Sequence, residues 1–401
     1  MSSHSAKLIR VKLRTKLEMA IIAMCALYLY SCKTAIRRSL STSKPREWAP
    51  YTYKRIQAEE VLDSEEEASM KKILQWNWYN FKLEEGHEPF VKQGCRYTNC
   101  VFTKDRNRYP LSQLDAVLWH VNAADSSFPD QSNRSPHTRY IIVTHEASYH
   151  IRGIKSGSLS SYNGVFNWTL HYRGDADIYA PYGTHEGTSE QQIGRQAAVM
   201  RNKTKLIAWF VSDCNSKSGR EELVEQLQKH VTVDIYGACG TLTCIRGQSD
   251  CYAMLEKKYY FYLALENSLC EDYITEKLYY TLRNYVVPVV WGLGNYTRNA
   301  PPHSVINALA FPNVTALANY LIYLKNNHTA YYEYFSWKQK YKPIIRGDIL
   351  RNAMCDICER LHTDNTTKVY KDIHWWFSPE RQCLTIDNPK IAAFLGRPIP
   401  A

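Results

Sequence analysis

Residues 259 to 292, YYFYLALENSLCEDYITEKLYYTLRNYVVPVVWG, confine the chain to few folds, because this one stretch reads as strand, loop, helix and second strand. Tyr259 to Leu265 is an aromatic and apolar run of strand length, ending at the polar Glu266-Asn267-Ser268. From about Asp272 the apolar period becomes helical: Ile274, Leu278 and Leu282 recur every fourth residue, with Glu276 and Lys277 in the first turn. Val286 to Trp291 is a second buried strand, stopped by Gly292. Ligands of such a β-α-β unit gather outside the carboxyl ends of its strands, where the helix N-terminus offers unpaired N–H groups to an anion.

The same alternation extends along the chain. Leu206 to Val211 and Val233 to Tyr236 read as strands around a helix from Arg220 to Gln228, and a helical finish runs from Val314 to about Lys342. Earlier strand-like runs are Ile73 to Trp78, Ala116 to Val121, Tyr140 to Thr144 and Ile178 to Tyr182. An α/β fold follows, and 401 residues at 45% hydrophobic can bury two cores, with a boundary near residue 200.

The net charge of +11 suggests nucleic acid until it is located. Ten Lys or Arg against two Glu in residues 1–50 account for +8 of it, so the folded part carries no basic stripe and nucleic-acid binding is excluded. Met19 to Cys32 carry no charge, follow a basic tail, and precede no A-x-A-like cleavage site. Residues 19–32 are therefore expected to be a signal-anchor, with 1–18 cytosolic and 33–69 a stem. Sequons at Asn133, Asn167, Asn202, Asn295, Asn313, Asn327 and Asn365 fit passage through the secretory lumen. Of the twelve cysteines, ten lie beyond the anchor, an even number suited to disulfides whose pairing is open; Cys355-Asp356-Ile357-Cys358 lacks a second half for zinc.

The stretch from Glu266 to Gly292, with ENS, DYITEK and VPVVWG, resembles the signature of the Golgi α1,3-fucosyltransferases, invertebrate members included. Agreement continues in Phe166-Asn167-Trp168-Thr169, in Tyr172-Arg173-Gly174-Asp175-Ala176-Asp177-Ile178, in Pro181-Tyr182-Gly183, in Lys205 to Ser212 and in Asp234-Ile235-Tyr236-Gly237, across roughly residues 70 to 385. The resemblance implies a GT-B fold of two Rossmann-like domains facing a cleft, an acceptor-side domain at 70–200 and a GDP-fucose domain at 201–385, with 386–401 a tail. It implies transfer of L-fucose from GDP-β-L-fucose to O3 of an N-acetylglucosamine (GlcNAc) residue with inversion, by a single-pass type II Golgi protein with a luminal catalytic part.

That reaction needs a base for the acceptor hydroxyl and positive charge for the departing diphosphate. A cation in a first helical turn opposes the helix dipole, so Lys277 is expected to answer an anionic ligand. By the resemblance, Arg173 joins it on the diphosphate, Glu276 takes the ribose hydroxyls, and Asn267 and Tyr273 line fucose and nucleotide. Glu146, in Thr144-His145-Glu146-Ala147-Ser148 where the family shows Glu-Ser-Pro, is the expected base, with Glu186 of Thr184-His185-Glu186 as its rival. No cofactor is obligatory, and stimulation by a divalent cation stays open. Departures at Ala147, Leu265 and Asp213 keep an inactive glycan-binding protein as one alternative. Asp175-Ala176-Asp177, a DxD that could chelate a metal, is the other.

Overall fold

In a computed structural model the described residues are 64–77, 83–188, 202–244 and 249–398; the expected tail and anchor, and all the stem up to residue 63, lie outside them. No helix among the described residues is long and apolar enough to cross a membrane. The expected boundary near residue 200 also falls outside the described residues.

The first half is built on six parallel strands, β1 (Lys71–Gln75), β2 (Cys100–Thr103), β3 (Ala116–His120), β4 (Arg139–Val143), β5 (Trp168–His171) and β6 (Ile178–Tyr179), in the order β2-β1-β3-β4-β5-β6. After a crossing strand β7 (Gly183–Gly187), the second sheet takes β8 (Lys205–Phe210), β9 (Val233–Tyr236) and β10 (Tyr259–Leu265). A short β11 (Leu269–Cys270) follows, and β12 (Val287–Trp291) and β13 (Ile306–Asn307) complete the parallel order β13-β12-β10-β8-β9. Two antiparallel ribbons tie distant segments: β14 (Tyr341–Ile345) pairs with β7, and β15 (Cys383–Leu384) with β11.

Each sheet is covered on both faces, which is why its strands read as continuous apolar runs. Successive residues of a strand face opposite ways, so Phe261, Leu263 and Leu265 of β10 enter one core and Tyr262 and Ala264 the other. Helices α1 (Arg220–Gln228) and α4 (Val314–Asn326) cover the first of these faces; α2 (Ser249–Lys258) and α3 (Glu276–Leu282) cover the second. The helical finish stops early. Asn327 leaves helical geometry and caps a separate short helix, and by Tyr341 the chain is a strand held by β7.

Beyond β14 the chain does not stay with the second sheet to residue 385. Helix α5 (Arg346–Thr363) buries Ile349, Ala353, Ile357 and Cys358 against β1, β4 and β5, and Ile373, Trp376 and Phe377 close the opposite face of the first sheet. The chain then returns: the supposed tail contains a helix, Pro389–Leu395, whose Ile391, Phe394 and Leu395 enter the second core. Five disulfides join the ten cysteines beyond Cys32, and two of them, Cys95–Cys355 and Cys100–Cys358, staple α5 to the first half. Asn167, one of the sequons, is 6% exposed; its amide donates to Lys368 O and its oxygen accepts from Arg134 and Tyr140 N, so it is unavailable once folded.

The two staples close loops of 260 and 258 residues, so either one restrains the unfolded chain almost as well as both. Replacing Cys100 and Cys358 together by Ala should therefore cost about 1 kcal/mol, whereas removing both staples should cost about 4 kcal/mol. Thermal denaturation of the two variants checks this, and equal additive losses would contradict it.

Candidate functional site

The second sheet has its topological switch point between β8 and β10. The chain leaves β8 outward to β9 and then crosses back to β10, so the loops at the carboxyl ends of β8 and β10 part and leave a crevice. Both loops are held in place by hydrogen bonds, Lys217 N to Asn267 O (3.1 Å) and Ser218 Oγ to Glu266 O (2.7 Å). Gly219, at φ 68°, turns the first loop into α1 through the left-handed region. The first helical residue is Arg220, 4% exposed, with Nη2 donating to Asp213 O (2.7 Å) and Nη1 to Leu265 O (3.3 Å).

Across this crevice a protein carboxylate holds the residue that precedes the helix. Asp272 sits at φ 58°, so the helix starts at Glu276 rather than near Asp272, and it is seven residues long. The carboxylate of Glu266, 1% exposed, accepts from Thr275 N (2.8 Å), from Thr275 Oγ1 (2.8 Å) and from Lys277 Nζ (3.0 Å). Lys277 therefore answers a protein carboxylate first. Burial works against its charge, but Glu266 and Glu276 more than offset this and raise its pKa above the ordinary lysine value. Arg220 is close enough to repel it slightly. Glu276, 34% exposed, stands 3.9 Å from Lys277, and Asn267 keeps a buried Oδ1 without a partner among the described residues.

Glu266→Gln leaves an acceptor for Thr275 but strips Lys277 of its buried counter-charge. The variant should lose about 3 kcal/mol of stability in urea unfolding, and an unchanged midpoint would show that the pair contributes nothing.

Glu146 lies just beyond the end of β4, at the corresponding carboxyl edge of the first sheet. It is half-buried and lines an open cavity of ≈ 600 Å³ with Asn122, Tyr149, His150, Arg152 and Lys155. Its backbone is fixed from three sides. Its own N–H donates to Thr144 Oγ1 (3.2 Å), Tyr182 OH bonds the preceding carbonyl, and His171 Nε2 bonds its carbonyl at 3.5 Å. His171 is fully buried; burial, with Arg173 adding, pushes its pKa down to about 3. It is thus neutral, with Nδ1 accepting from Arg173 N and the proton on Nε2. The carboxylate of Glu146 takes no hydrogen bond from the described residues. Next to it, His150 lies close enough to Asp213 and Arg220 of the second half to feel their charges, although burial is the larger influence and lowers its pKa.

Other expectations are displaced. Arg173 is 2% exposed and faces no cleft: its guanidinium pairs with Asp175, donates to Trp376 O (3.0 Å) and stacks on the Trp376 ring at 4.5 Å. Tyr273, 2% exposed, packs against Tyr172 and Tyr182 in the core instead of lining a nucleotide. The two DxD carboxylates serve different partners, Asp175 with Arg173 and Arg381, Asp177 with Thr169, Lys368 and Tyr370. The rival Glu186 pairs with Lys342 in the β7–β14 ribbon. Cys100, Cys358 and His362 are grouped like metal ligands, but the two sulfurs are joined to each other. Arg220, paired with Glu221 (3.1 Å) and Asp213 (3.6 Å), is a second cation beside these loops that sequence reading passed over. The signal was present, a cation at the first position of a helix, the same one that singled out Lys277.

Residues 68–183 match the description "Fucosyltransferase, N-terminal", and residues 200–376 match "Glycosyltransferase family 10 (fucosyltransferase) C-term". The chain is 37% identical over 308 residues to α-(1,3)-fucosyltransferase C of Drosophila melanogaster, covering 71% of this chain and 70% of that protein. It is 35% identical over 330 residues to α-(1,3)-fucosyltransferase fut-1 of Caenorhabditis elegans, covering 79% and 72%. A crystal structure of an α1,3-fucosyltransferase with GDP-fucose aligns at TM-score 0.46 and 15% identity, over 78% of this chain and 98% of that one.

Proposed function

The chain belongs to glycosyltransferase family 10, the fucosyltransferases, and on that footing we propose that it moves L-fucose from GDP-β-L-fucose to O3 of a GlcNAc residue in a glycoprotein glycan, with inversion. What supports the reading is Glu146, beyond the carboxyl end of β4 and lining an open cavity, together with Arg220 and Lys277, held by the loops beyond the carboxyl ends of β8 and β10. An inverting displacement needs its base on the sugar face opposite the leaving group, and two facing sheets supply those two sides. Glu146 takes the proton of the acceptor O3 as that oxygen attacks C1 of fucose, and GDP departs toward the two cations. Arg220 and Lys277 neutralise the diphosphate with fixed charges, and Asn267 Oδ1 is an acceptor waiting for a donor of the ligand. Glu276, exposed beside Lys277, has the chemistry to accept two ribose hydroxyls.

The cavity beside Glu146 is the place for the acceptor sugar. The reading also keeps the catalytic part in the Golgi lumen on a type II anchor at residues 19–32, and the five disulfides support an oxidising compartment.

Glu146→Gln should abolish transfer while GDP affinity by calorimetry stays within twofold of the parent; turnover at the parent rate would remove Glu146 as base. Lys277→Ala, confirmed folded by circular dichroism, should weaken GDP binding by about 2 kcal/mol, as loss of a charge-assisted contact does. Unchanged GDP affinity would take Lys277 off the diphosphate.

A further inference from the structure

The base and the donor loop belong to different halves, and their separation must be held to a fraction of an ångström for the displacement to proceed. Covalent continuity does not supply this, because Glu146 and Glu266 are 120 residues apart. A third segment, 376–384, touches both.

Gln382, 3% exposed, ends the short helix Pro379–Gln382, and each of its polar groups is engaged. Its Oε1 accepts from Ser148 Oγ at 2.9 Å, and Ser148, fully buried, is two residues beyond Glu146. Its backbone carbonyl accepts from Glu271 N at 2.8 Å, in the loop that begins with Glu266 and Asn267. Its Nε2 donates to Trp376 O, the carbonyl that Arg173 also holds. The next residue, Cys383, is disulfide-bonded to Cys270 across the β11–β15 ribbon. One glutamine thus bridges the base loop to the donor loop through bonds withdrawn from water, with Arg173 bracing the far end.

We propose that Gln382 is a positioning residue that sets Glu146 against the donor by clasping Ser148 on one side and Glu271 on the other. This rests on Glu146 being the base. The clasp fixes the geometry of the reacting groups; it touches neither substrate, so its loss falls on turnover more than on donor binding.

The test uses the whole folded chain with GDP-fucose and a GlcNAc-terminated acceptor. Ser148→Ala and Gln382→Ala should each lower kcat about tenfold or more, with the KM for GDP-fucose changed less than twofold. The double variant should be no slower than the worse single one, because the bond between Ser148 and Gln382 is already lost in either. Ser148→Ala removes a single oxygen and remains informative should Gln382→Ala fail to fold. Full kcat in Ser148→Ala, or losses that multiply in the double variant, would overturn the clasp. Glu146→Gln separates the two ideas: if it is inactive while Ser148→Ala is fully active, the clasp alone fails, and if Glu146→Gln is active, the assignment of the base fails.

Discussion

The buried carboxylate of Glu266 is the constraint from which the donor side is built. A charge taken out of water at the end of a central strand needs compensation on every lone pair, and Thr275 N, Thr275 Oγ1 and Lys277 provide it. Those three contacts determine where α3 begins, which way Lys277 points, and how the loop between must curl, including the left-handed Asp272. The curl has its own use. Asp272 accepts from Gly174 N (3.0 Å) and from Arg298 (3.1 Å), so the same loop that caps α3 also meets the first half.

Lys277 then has two roles that do not compete. It balances Glu266 within the fold and adds positive charge to the crevice beside Arg220. The raised pKa keeps it charged across physiological pH, so the crevice does not lose this cation when a ligand is absent. Electrostatic preorganisation of this kind requires that charges be held before the ligand arrives, and a buried counter-ion is a way to hold one.

Much of the second sheet was legible because its strands and helices announce themselves by period: β8, β9, β10, α1 and β12 fall within a residue or two of the sequence reading. The start of α3 was misplaced by four residues because Glu266, which holds the N-cap residue Thr275, comes near the helix only once the loop folds, and no side chain next to the helix signals it. The first sheet was read less completely. Cys100–Thr103 and Trp168–His171 are too short to stand out, and α5 was hidden by its cysteines, although Ile349, Ala353, Ile357 and Leu361 recur every fourth residue. For the candidate site, motif and period led to the loop of Glu146 and to the first turn that holds Lys277, whereas the direction of the Arg173 side chain was not legible. An arginine in a strand-following turn has no period to reveal its direction, and Trp376, which claims it, lies 203 residues away.

The return of α5 to the first sheet bears on how the protein is made. A ribosome delivers all six strands of that sheet long before residues 346–377 emerge, and until they do, Ile141, Val143 and Leu170 on one face and Trp119 and Ile142 on the other lack the side chains that cover them. The amino-terminal half therefore cannot finish folding as it is synthesised. It must wait in an incomplete state, its apolar faces a natural target for chaperones, until residues 346–377 arrive.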